Sequence, residues 1–93
     1  MVKKRNKVEI VNDILSSIQH KGEIKPTHIM YKSNLSHTLM KSYLEELINK
    51  EFVKETSREY KGHKHSYFII TDKGLQFLEK FKKMKEFEDT FGL

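Results

Sequence analysis

Between Ser36 and Glu45 the chain reads SHTLMKSYLE, and its polar residues recur at helical spacing. His37, Thr38, Lys41, Ser42 and Glu45 share one side of a helix, while Met40, Tyr43, Leu44 and Leu47 gather on the other. Hydroxyls, an imidazole and an ammonium on one face suit recognition by hydrogen bonding. A second set, Arg58, Lys61, His63, Lys64 and His65, surrounds Gly62 and offers an electrostatic handle for anions. Lys3, Lys4, Arg5 and Lys7 form a basic arm at the start, suited either to an anionic partner or simply to solubility. Phe77, Phe81, Met84, Phe87 and Phe91 form an apolar set near the end, whose helical spacing suits association with another helix.

Bond-making chemistry has no such support. No Ser or His stands in a context that pairs a nucleophile with a base, and no glycine-rich phosphate loop follows a strand. The absence of Cys removes thiolate nucleophiles, disulfides and Cys-based zinc sites. His63 and His65 lack an evident third ligand, so no metal is expected. We therefore expect no enzyme, no cofactor and no small-molecule ligand.

The net charge of +5 is unevenly placed. Residues 1–41 carry eight Lys and Arg against three Asp and Glu, whereas residues 42–93 carry ten of each. A basic half of this kind suits a polyanion such as nucleic acid. Ninety-three residues, 37% of them hydrophobic, bound the chain to one small domain. No apolar run approaches the roughly 18 residues needed to cross a bilayer. The basic opening resembles the start of an export signal, but Glu9, Asn12 and Asp13 interrupt the apolar stretch that follows, so the expected location is the cytoplasm.

These residues need elements to position them. Val8, Val11, Ile14, Leu15 and Ile18 lie on one helical stripe, which predicts a first helix over about residues 5–20, closed by Gly22. Pro26 fits the first turn of a short second helix over 26–33. Ser33, Asn34, Leu35 and Ser36 then break the helical pattern, and Ser36 is a good N-cap for a third helix ending near Lys50. The β-branched and aromatic residues of FVKETSREY and SYFII predict a hairpin, with YKGHKH as its basic tip. Thr71 caps a last helix of about 19 residues, about 28 Å long. Gly74, inside its first turn, is expected at a close packing contact.

The stretch THIMYKSNLSHTLMKSYLEELINKEFV resembles the helix-turn-helix of the small archaeal winged-helix regulators. YFIITDKGLQFL is similar to the last strand and helix start of that family. The resemblance implies an α+β, mainly α, winged helix-turn-helix: three helices, a two-stranded wing and a long C-terminal helix. It implies double-stranded DNA as partner, with the third helix in the major groove and the wing on flanking backbone or minor groove. Ser36, His37, Thr38, Lys41 and Ser42 are then the candidate groove contacts. Arg58, Lys61, His63 and Lys64 from the wing, with Lys4 and Arg5 from the arm, are candidate backbone contacts. Residues 1–78 would form the domain, and residues 79–93 would extend its last helix to build a homodimer through Phe77, Phe81, Met84, Phe87 and Phe91. Some members of the family resemble chromatin-like proteins that pair this helix antiparallel, which implies a nucleoid-associated location. Glu51 departs from the family, which usually has Gly there, and puts the end of the third helix in question. An adaptor that uses the same fold to dock on a protein is the alternative, and the basic first half argues against it.

Overall fold

A computed structural model describes residues 4–93, which leaves Lys3 of the basic arm outside the described residues. Helix α1 (Lys7–Lys21) starts at a capping box: Asn6 Oδ1 accepts the Glu9 N–H at 2.8 Å, and Glu9 Oε1 accepts the Asn6 N–H at 3.2 Å. Val11, Ile14, Leu15 and Ile18 are buried as their spacing required. Val8 is the exception. It stays exposed in the first turn, beside the last helix of the chain.

Helix α2 (Pro26–Ser33) ends where Asn34 turns left-handed, with φ 53° and ψ 51°. The Asn34 N–H reaches the Tyr31 carbonyl at 3.2 Å and the Leu35 N–H reaches that of Met30 at 3.0 Å. That crossed pair ends the helix within one residue. Asn is among the few side chains that tolerate this conformation, and Leu35 anchors the turn in the core. Helix α3 (His37–Asn49) can then restart at a new angle, with Ser36 Oγ accepting the Leu39 N–H at 3.2 Å.

The end of α3 keeps the geometry that its Glu51 put in question. Glu51 takes φ 64°, its N–H reaches the Ile48 carbonyl at 3.0 Å, and the Phe52 N–H reaches that of Leu47 at 2.9 Å. Glu51 thus occupies a position that favours glycine. Glu51→Gly is expected to stabilise the fold by about 1 kcal/mol. Urea unfolding would show it as a higher midpoint at unchanged slope; an unchanged midpoint would mean that the glutamate bears no strain.

Strands β1 (Val53–Tyr60) and β2 (His63–Ile70) pair antiparallel from Val53↔Ile70 to Tyr60↔His63. The expected six-residue tip is therefore corrected to a turn of two, Lys61 and Gly62, with φ 50° and 77°. Two positive φ values make a turn whose twist matches that of the strands, so the ladder closes up to the tip and takes in His63, Lys64 and His65. On the other side of β2, Ile24 and Phe68 exchange two backbone hydrogen bonds, at 3.1 and 2.9 Å. The segment between α1 and α2 thereby becomes a one-residue third strand.

Helix α4 (Asp72–Phe91) starts at Thr71, whose Oγ1 accepts the Gly74 N–H at 3.1 Å. Its 20 residues span about 30 Å. Gly74 sits against β2 and the segment leading into β1: a Cβ there would lie 2.6 Å from Ile70 Cγ1 and closer still to the Phe52 carbonyl oxygen. The close contact expected of this glycine is present. Phe77 and Leu78 pack against the core, but Leu75 is partly exposed along a groove lined by Asn12, Ser16 and Gln19 of α1. The α1 side of that groove is polar. The described residues include no helix long and apolar enough to cross a membrane.

Candidate nucleic-acid interface

The break after α2 leaves Ser36, His37, Thr38, Lys41 and Ser42 exposed on the first turns of α3, as one polar surface. Met40, Leu44 and Leu47 hold the opposite side in the core. A groove separates this helix from the wing, lined by His37, Lys41 and Glu45 of α3 and by Glu55 and Phe68 of the hairpin. Glu55 has no counterpart in the sequence reading. It shares the core-side face of the hairpin with Val53, which only the observed register reveals. Two carboxylates in a groove of this kind accept from amino groups, and Lys41 supplies a donor beside them.

The register divides the wing residues. Lys64 stands opposite Glu59 on the face that continues from the core, whereas Arg58, His63 and His65 lie on the outward face, and Lys61 occupies the turn. Arg58 is already engaged. One of its terminal nitrogens lies 2.5 Å from Glu23 Oε2, and its guanidinium carbon sits 5.6 Å from the centre of the Tyr67 ring. An incoming phosphate would compete with Glu23 for it. Lys61 Nζ lies 5.4 Å from the Tyr60 ring centre at the tip.

The basic arm is divided as well. Arg5 donates to Asp13 Oδ2 at 2.6 Å and to the Asn34 carbonyl at 3.3 Å, so it ties the arm to the turn between α2 and α3. Lys4 is exposed. Lys7 binds Glu46 Oε1 at 2.6 Å; that hydrogen bond, more than the accompanying charge attraction, raises the Lys7 pKa and lowers that of Glu46. Both groups are solvent-exposed, so the pair adds little stability and is screened by salt. Its partners lie 39 residues apart, beyond any local sequence signal.

Along α4 the aromatic set is also divided. Phe77 packs on Phe52 with ring centres 5.6 Å apart, and Phe81 stacks on Phe77 at 6.4 Å. Further on, Met84, Phe87 and Phe91 are 42%, 58% and 64% exposed, and the last two rings contact each other at 4.9 Å. Val8 joins Phe77, Phe81 and Met84 around one shallow depression, so the apolar surface is wider than the helix alone.

Three helices with a tight turn before the third, a hairpin and a long closing helix define a winged helix-turn-helix domain. The chain belongs to the winged helix-turn-helix family, whose model matches residues 4–89. An uncharacterized protein of Methanocaldococcus jannaschii is 33% identical over 81 residues, or 87% of this chain, which spans 34% of that relative's length. Among solved structures, a PadR-like transcriptional regulator from Bacillus cereus superimposes with a TM-score of 0.76 at 26% identity, over 88% of this chain and 85% of the regulator. Sso10a-2, a DNA-binding protein from Sulfolobus solfataricus, superimposes at 0.74 with 17% identity, over 94% of this chain and 85% of that one. At that identity the second likeness is one of fold.

Proposed function

We propose that this chain binds double-stranded DNA as a homodimer and acts as a transcriptional regulator on the chromosome. The observation that carries the proposal is the exposed polar first turns of α3 beside a basic-tipped hairpin. His37, Thr38, Lys41 and Ser42 would meet base edges in the major groove, and Ser36 would place a backbone N–H on a phosphate. Lys61, His63 and Lys64 would hold flanking backbone, joined by Arg58 once it exchanges Glu23 for phosphate. Lys4 would extend the contact, with Arg5 positioning the arm. Residues 79–93 would pair with a second copy. The PadR-like neighbour, a transcriptional regulator, and Sso10a-2, a DNA-binding protein, support the proposal.

Titration of random duplex across salt concentrations tests it. If the dimer neutralises about six phosphates, log K falls against log salt with a slope of about −5. A flat response, or no binding at low salt, would point to a protein-docking adaptor instead. The roles separate by mutation. Lys41→Ala or Ser42→Ala is expected to lower discrimination between preferred and scrambled duplex, whereas Lys61→Ala with Lys64→Ala is expected to weaken both about equally. The reverse outcome in a competition assay would exchange the two roles.

A further inference from the structure

The outward face of the wing carries a ladder of rings. Three successive cross-strand pairs lie on it, Tyr60↔His63, Arg58↔His65 and Thr56↔Tyr67. Each presents at least one aromatic ring, and same-face rungs repeat every ~6.6 Å along a strand. Tyr60 is 64% exposed. Deeper in the ladder, Lys25 and Arg58 flank the Tyr67 ring with their charges 5.8 and 5.6 Å from its centre. Glu23 and Tyr67 together hold the Arg58 guanidinium in place over that ring.

Charge follows the same division. The outward face sets Lys25, Lys54 and Arg58 against the single acid Glu23, whereas the opposite face sets Glu55 and Glu59 against Lys64. A cationic face ladder of rings matches a ligand made of planar rings strung on phosphates. Duplex DNA hides its base faces in its own stack, and only an unpaired strand exposes them.

We propose that this face is a second nucleic-acid site, which binds single-stranded DNA by stacking bases on Tyr60 and the histidine rings behind it while Lys25 and Lys54 hold its phosphates, joined by Arg58 once it exchanges Glu23 for phosphate. DNA is favoured over RNA because the ladder ends at the wing tip, next to the duplex surface proposed for α3. The site uses the face turned away from α3; its choice of DNA rests on the duplex reading and it shares Arg58 and His63 with that reading, whereas Lys41 and Tyr60 belong to one surface each.

Fluorescence anisotropy with a labelled oligo(dT) at low salt tests it, with oligo(U) and a duplex measured in parallel. The expected result is oligo(dT) binding that weakens roughly tenfold in Tyr60→Ala, since one stacked base contributes about 1–3 kcal/mol. Tyr60→Phe keeps the ring and should keep the affinity. Lys41→Ala should leave oligo(dT) binding intact, and Tyr60→Ala should leave duplex binding within about threefold. Failure to bind oligo(dT), equal binding by Tyr60→Ala, or tighter binding of oligo(U) than of oligo(dT) would each overturn the proposal. Circular dichroism confirms that the tip substitution leaves the fold intact. Loss of duplex binding alone would count against the role of α3 and not against this face.

Discussion

Replacing Met84 and Phe87 with glutamate is expected to leave a folded monomer whose affinity for duplex DNA is lower by about two orders of magnitude. Both side chains lie in the second half of α4, and with Phe91 they form its exposed apolar stripe. Each large apolar side chain gains ~1.5–3 kcal/mol from full burial, so two stripes meeting face to face would stabilise a dimer, and two carboxylates per chain would prevent it. Phe81 is a poorer target than its place in the stripe suggests. It rests on Phe77, which rests on Phe52, so a charge there would act on the domain as well as on the interface. The loss of DNA affinity follows from linkage: tethering two binding units raises avidity by about 10²–10⁴ without new contacts. Sedimentation reports mass, and thermal unfolding reports the fold. A double variant that stays dimeric would refute the interface, and a monomer with undiminished affinity would refute the linkage.

Gly74→Ala is expected to destabilise the domain by about 2 kcal/mol, even though alanine is the better helix former by ~1 kcal/mol. The added methyl would collide with Ile70 Cγ1 at 2.6 Å and with the carbonyl oxygen of Phe52. Ile70 can rotate; the carbonyl cannot. That oxygen accepts the Thr71 N–H at 3.1 Å, while the Phe52 N–H is held by Leu47 at 2.9 Å. Moving this peptide would loosen the end of α3, the start of β1 and the start of α4 together. For a domain of this size the predicted loss corresponds to a drop of roughly 10 °C in Tm. A melting temperature at or above that of the parent chain would show that the junction relaxes more readily than its hydrogen bonds imply.

What could be read in advance was local. Gly22, Pro26, Ser36 and Thr71 bound their helices through chemistry confined to a turn, so four helices and a hairpin could be placed from residue types alone. The tight α2–α3 connection was equally legible, because Asn34 is one of few residues suited to its conformation. The length of the wing turn was not, since Lys61 is a poor match for the left-handed position it occupies. Nor was the availability of the charges. Arg5, Lys7 and Arg58 look alike in the sequence, yet each is paired with a group at least eight residues away, which only the assembled fold brings near. The candidate surface on α3 therefore emerges as one patch, whereas the wing and the arm each divide into free and committed cations.

The two hydrogen bonds between Ile24 and Phe68 have a mechanical consequence. They clamp the wing to the segment that leads into α2, while the end of α3 passes directly into β1, so the hairpin is braced on both sides of its base. Such a hairpin is held firmly at its base. In the proposed duplex complex the spacing of the wing base from α3 would then be set by the fold, and a mismatch with it would favour bending of the duplex. Sequences would then be sorted by their stiffness as well as by their base edges.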